Sequence, residues 1–131
     1  MTTESAVKPS VLIVDDDQFL LDMYSVKFTQ AGFAVESCFS VHEALETIRK
    51  GFNPEAILFD ITMPGEDGFA LLEALNTEKL APNARRIALT NQGSDSDKAH
   101  AEKLGVHRYC IKASMIPSEV VQMVKEELAK K

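Results

Sequence analysis

The sequence predicts an α/β fold, a doubly wound sheet of five parallel strands with five helices on both faces. Two observations carry this reading. Short apolar runs alternate with longer segments whose apolar residues recur at helical spacing. Glycines stand where those longer segments should stop, as left-handed helix caps do. Strict alternation of strand and helix requires crossover connections, so the strands lie parallel, in the order 2-1-3-4-5.

The strand candidates in chain order are "VLIV" from Val11, "AVESC" from Ala34, "AILF" from Ala56, "RIALT" from Arg86 and "RYCIK" from Arg108. "VLIV" and "AILF" lack polar alternation and read as central strands buried on both faces, whereas "AVESC" and "RYCIK" carry polar residues and suit the edges. Helical spacing links Leu20, Tyr24 and Phe28, then Val41, Ala44, Leu45 and Ile48, then Leu71, Leu72 and Leu75, and last Val120, Val121, Val124 and Leu128. A fourth helix from about Ser94 to Leu104 has only a thin apolar face of Ala99, Ala101 and Leu104. Gly32, Gly51 and Gly105 mark helix ends. Residues 1–8 read as a flexible arm and 9–131 as one domain, since 131 residues support one full core and divide poorly into two.

Composition removes several function classes. A formal net charge of -6 argues against a nucleic-acid surface, which needs clustered Lys and Arg. No run approaches the ~18 apolar residues of a membrane span, and the N-terminus lacks the apolar core of a secretion signal, so a cytoplasmic protein is expected. Cys38 and Cys110 sit in apolar runs without CxxC spacing and read as small core residues. His42, His100 and His107 have no metal-ligand spacing.

In a 2-1-3-4-5 sheet, ligands bind beyond the carboxyl ends of the strands where the chain reverses, between the first and third strands. Asp15 and Asp16 follow the first strand there and Asp60 follows the third. Three carboxylates ~5 Å apart in a medium of effective dielectric ~20 repel by about 3 kcal/mol per pair, so a cation must join them or one must protonate. Mg²⁺ is the natural partner, a small hard ion that takes one or two carboxylates and keeps waters. Thr90 and Lys112 end the fourth and fifth strands on the same edge. A nucleophilic aspartate, a hydroxyl and an ammonium around a metal suit acyl-phosphate chemistry.

Taken singly, these residues have plainer roles. Asp17 reads as a helix N-cap, the "DDD" run as capping and dipole compensation, Pro64 and Gly65 as a turn, and Asp67 with Gly68 as the start of the third helix. Lys112 alone is a surface lysine and Tyr109 an edge-strand aromatic. Those roles do not explain why five polar residues close strands on one edge.

Together, "VLIVDDD", "LFDITMPGEDG", "IALT" and "YCIK" resemble the receiver domain of bacterial response regulators, a flavodoxin-like fold, over essentially the whole chain. The resemblance implies that Asp60 is the phosphorylated aspartate. It implies further that Asp15, Asp16, Asp60 and the Thr62 backbone carbonyl hold Mg²⁺, that Lys112 pairs with the phosphoryl group, and that Thr90 and Tyr109 form the switch pair. The implied donor is a sensor histidine kinase or phosphotransfer protein. The implied readout runs through the fourth helix, fifth strand and fifth helix toward a downstream protein, a fused output domain or a phosphorylation-dependent homodimer. Beyond its own phosphotransfer and autodephosphorylation, no enzyme activity is expected. Thr62 and Gln92 occupy positions where the family tunes hydrolysis.

The resemblance breaks after Lys112, where the family's usual proline is Ala113. A cis bond to a non-proline residue costs about 2.5 to 4 kcal/mol, so either a trans bond with a rearranged loop or a strained cis one is expected. Ser114 and Pro117 would then open the last helix. Two other functions compete: a receiver-like scaffold that is never phosphorylated, and a small aspartyl-nucleophile phosphatase of the haloacid-dehalogenase type. The latter fits less well, because Phe19 stands where its D-x-D-x-T run needs a hydroxyl. The chain closes on "VKEELAKK", which suits a stand-alone docking protein or a piece of a longer regulator.

Overall fold

A computed structural model describes residues 8–91 and 94–130. The strands are β1 (Ser10–Val14), β2 (Ala34–Cys38), β3 (Ala56–Phe59), β4 (Arg85–Thr90) and β5 (Arg108–Ile111). The helices are α1 (Gln18–Gln30), α2 (Val41–Arg49), α3 (Gly68–Glu78), α4 (Asp95–Lys103) and α5 (Pro117–Ala129). All strand pairings are parallel and the order is β2-β1-β3-β4-β5.

Burial explains why each strand takes its place. β3 is buried at every residue, and β1 and β4 at every residue but the first, so all three lie inside the sheet. β2 exposes Glu36 and Ser37, and β5 is half-buried throughout, so these two polar-bearing strands lie at the edges. Alternation along β1 divides the core. Leu12 and Val14 join Val41, Ala44, Leu45, Leu71, Leu72 and Leu75 of α2 and α3 on one face. Val11 and Ile13 join Leu21, Tyr24 and Phe28 of α1 and Val120, Val121 and Val124 of α5 on the other. On α1 the buried stripe is Leu21, Tyr24 and Phe28, with Leu20 only half-buried.

Most caps follow local sequence. Asp17 accepts from the Phe19 and Leu20 N–H groups, Ser40 from Glu43, Asp67 from Ala70 and Ser94 from Asp97. The expected Ser114 start of α5 is corrected. Ser114 belongs to a 3-10 turn, Lys112–Ser114, and the residue before Pro117 is Ile116, whose N–H is taken by the Glu119 carboxylate at 2.9 Å. Ile116 has no side-chain acceptor, so the third residue of the helix satisfies its donor instead. Ala113 permits the Lys112–Ser114 turn, because a proline there would push Lys112 out of the helical region. On α4 only Ala101 is buried, and the predicted Ala99 faces solvent.

Candidate phosphoryl-acceptor site

The carboxyl ends of the strands converge above β1 and β3. The Asp15 N–H donates to the Cys38 carbonyl at 3.1 Å, and the Asp60 N–H donates to the Val14 carbonyl at 3.0 Å, so sheet pairing continues one residue past each strand and fixes both backbones. Both residues are 3% exposed. Asp15 Oδ1 accepts from the Asp17 N–H at 2.9 Å, and Asp60 Oδ1 accepts from the Thr62 N–H at 3.1 Å. Each carboxylate is thus held by the amide two residues on, an Asx-type turn that sets its plane.

Their second oxygens share one cation. Lys112 Nζ lies 2.7 Å from Asp15 Oδ2 and 2.8 Å from Asp60 Oδ2, with all three side chains buried. The positive charge demanded by the crowded carboxylates is therefore supplied from within the chain. Burial alone would depress the Lys112 ammonium, but hydrogen bonds to Asp15 and Asp60 outweigh it and hold the group above its ordinary value. Burial pushes the Asp15 carboxyl up, against the opposing pull of Lys112 and the Asp17 amide.

Asp16 is exposed, and one carboxylate oxygen from each of Asp15, Asp16 and Asp60 falls within 4.8 Å of the others. These are hard oxygen donors only, so the set suits a hard divalent ion. Thr90 is fully buried at the end of β4, opposite Ile111, the neighbour of Lys112. Tyr109 stands apart from the carboxylates, opposite Ala88 in mid-strand, and its buried hydroxyl has no hydrogen-bond partner among the described residues. Thr62 is exposed, and Gln92 lies outside the described residues.

A family model described as the response regulator receiver domain matches residues 11–125. The chain belongs to the response regulator receiver family. This receiver domain is 34% identical over 106 residues to the transcriptional activator protein PfeR of Pseudomonas aeruginosa, covering 80% of the chain and 33% of that protein. It is 30% identical to the phosphate regulon transcriptional regulatory protein PhoB of the same species, covering 93% and 52%. The receiver thus spans between a third and about half the length of these relatives. A CheY-like receiver domain protein from Methanospirillum hungatei superposes with a TM-score of 0.86 at 28% identity, covering 95% of this chain and 96% of that one. The receiver domain of the Francisella response regulator 1452 gives 0.81 at 28%, covering 94% and 98%. Receiver domains of two-component systems are signalling modules. Among the described residues no helix is long and apolar enough to cross a membrane.

One residue of this receiver's site escaped sequence reading. Gly68, taken only as a helix start, donates its N–H to the Ile61 carbonyl at 2.9 Å and packs α3 directly onto the backbone that follows Asp60. A glycine directly after an N-cap aspartate was the available signal.

Proposed function

We propose that the chain is a phosphorylation-controlled switch whose Asp60 accepts a phosphoryl group from the phosphohistidine of a sensor kinase or phosphotransfer protein in the cytoplasm. The observation that carries this reading is the buried Asp15–Lys112–Asp60 bridge at the topological switch point. A carboxylate oxygen of Asp60 forms a bond to phosphorus as the donor's P–N bond breaks, and the departing imidazole takes up a proton. Lys112 Nζ, already on Asp60 Oδ2, has a third N–H donor for a phosphoryl oxygen. Asp15, Asp16, Asp60 and the Thr62 carbonyl are the groups that would hold Mg²⁺, which when bound neutralises charge on the transferring group.

Thr90 and Tyr109 connect this event to the α4–β5–α5 face, where a downstream protein, a fused output domain or a second copy would read it. Added phosphoryl charge draws on Lys112 and Thr90 and so biases the β4–β5 pair on which Tyr109 sits. The donor has a suitable surface close by. A groove of about 400 Å³ between α1 and α5 is lined by Phe19, Met23, Val26 and Pro117, and α1 starts immediately after the acidic run. Phe19 is 72% exposed and, with Val26 at 53%, gives this groove a contiguous apolar patch of the kind that marks interaction sites.

Mass spectrometry after incubation with acetyl phosphate and Mg²⁺ tests the assignment. The wild-type chain gains one phosphoryl mass and Asp60→Asn gains none. A persistent gain in Asp60→Asn moves the nucleophile elsewhere, and a label mapped to Asp15 favours the phosphatase reading.

A further inference from the structure

α1 is apolar on two faces. One is the stripe of Leu21, Tyr24 and Phe28 buried against the sheet. The other is turned outward. Phe19, Met23, Val26 and Gln30 follow one another at intervals of four, three and four, so they form a single line along the solvent side of the helix. Phe19 and Val26 are 72% and 53% exposed, Met23 is half-buried, and Gln30 is exposed at the far end. A surface helix that packs only on its own core keeps its apolar residues on one face, and α1 does not.

The outward spacing is the one by which two helices pack side by side in a coiled coil, with apolar residues at the first and fourth positions of a seven-residue repeat. Charges flank the line. Asp22 and Lys27 are both exposed, stand on opposite sides of it, and border the groove in which it lies. Five residues apart on opposite flanks, they cannot reach one another within the helix. Among the described residues neither belongs to an ion pair, and Asp22 is held only by Gln18 Nε2 at 2.7 Å. Lys125 of α5 shares the groove on the Lys27 side and adds to its positive charge. When two such helices lie parallel, a residue on one flank faces the residue five positions further along on the neighbour's other flank. Asp22 would therefore meet Lys27 of a second copy, and the two-fold axis repeats the contact in reverse. An antiparallel pair would bring the two Asp22 flanks together and the two Lys27 flanks together, so the charges select the parallel arrangement.

We propose that the chain pairs with a second copy of itself through this outward line of α1, the two helices parallel and the two-fold axis running along them. Phe19, Met23, Val26 and Gln30 each meet their counterparts, and both Asp60 pockets open at the same end of the pair. The pairing does not depend on Asp60 being the phosphoacceptor. One consequence does rest on that reading: a second copy covers the groove offered to the donor, so pairing and phosphotransfer exclude one another. A helix of 13 residues gives a short seam, which makes the pair a weak one that fills at high concentration and leaves the groove open to the donor at low concentration.

Sedimentation equilibrium of the full chain from about 1 µM to about 1 mM tests the pairing. The wild type shifts from one chain mass toward two. Asp22→Lys and Lys27→Asp each set like charges against one another at both contacts, and each weakens association by at least about tenfold. Mixing the two single variants restores it, because one copy then carries both lysines and the other both aspartates. Asp22→Lys and Lys27→Asp combined in one chain restore it as well. A wild type that stays monomeric throughout would overturn the pairing and leave the face to the donor alone. Single variants that associate like the wild type, or a mixture that fails to recover, would overturn it too. Loss of the acetyl phosphate mass gain with association intact would remove the consequence for the donor and keep the pair.

Discussion

A methyl group added at Gly68 would lie 2.7 Å from the Asp60 carbonyl oxygen and 2.9 Å from Ile61 Cα, both backbone atoms that cannot swing aside. Gly68→Ala therefore forces the acceptor loop to move. We expect a loss of about 1–3 kcal/mol in denaturant unfolding, from overpacking, and slower labelling by acetyl phosphate. A wild-type labelling rate would show that the loop position does not matter. Lys112→Met leaves two buried carboxylates facing one another, a defect that typically costs roughly 3 kcal/mol when one partner of a buried pair is removed. Thermal melts in EDTA check this, and millimolar Mg²⁺ should recover part of the loss by supplying the missing charge. In the wild type we expect Mg²⁺ to raise the melting temperature by binding the folded state alone, and Asp16→Asn to reduce that rise. Equal melting points with and without the ion would remove the metal pocket. Asp15, Asp60, Thr90 and Lys112 could be picked out from the chain because each closes an apolar run and topology pins the ends of those runs together. That one ammonium spans two carboxylates could not be picked out, since it depends on the side chain's reach across the strand ends.

Among the elements, α1 and α4 contrast most. α1 buries Leu21, Tyr24 and Phe28 but leaves Phe19 and Val26 outside, 72% and 53% exposed, on the groove that flanks the pocket. Phe19→Ala removes that apolar contact without touching the carboxylates. It should slow phosphoryl transfer from the cognate kinase by about tenfold, as loss of one aromatic anchor does, and leave acetyl phosphate labelling unchanged. Equal slowing with both donors would mean that the substitution disturbs the pocket itself. α4 was the least legible helix because its apolar face is a single alanine. Its ends were readable from Ser94 and Gly105, but the hydrogen bonds from Arg86 and Asn76 to the Leu104 carbonyl were not, because those residues lie on other elements. The edge strands were readable for the opposite reason. Glu36, Ser37 and Arg108 interrupt their apolar runs directly.

Across the whole molecule, a second charge cluster lies at the other end of the sheet. Glu127, 1% exposed, accepts from Arg85 at 3.0 Å, Arg108 at 3.2 Å and Lys130 at 2.9 Å, tying α5 to the first residues of β4 and β5. Burial would raise this carboxyl, but the three cations hold it at about 2, below its ordinary 4.5. A depressed folded value contributes stability that is complete above the unfolded value and is lost as pH falls toward the folded one. We expect Glu127 to contribute on the order of 2 kcal/mol at neutral pH, discounted for its exposed partners, and to lose it between about pH 5 and 2. Asp15 is shifted the opposite way, so the comparison that isolates Glu127 is with Glu127→Gln, whose acid unfolding curve should be flatter. Parallel curves would assign the cluster no such role. The tie to β4 and β5 was not visible in the chain, because Arg85 and Arg108 lie 42 and 19 residues from Glu127.

The lysine bridge carries one more consequence. An ammonium fastened to the fold cannot be diluted away, so any mobile ion arriving at Asp15 and Asp60 competes with a rival whose local concentration never changes. A singly charged ion offers these carboxylates nothing that their own lysine does not already provide. We therefore expect the pocket to discriminate by valence, sodium or potassium leaving the melting temperature unchanged where a divalent ion raises it.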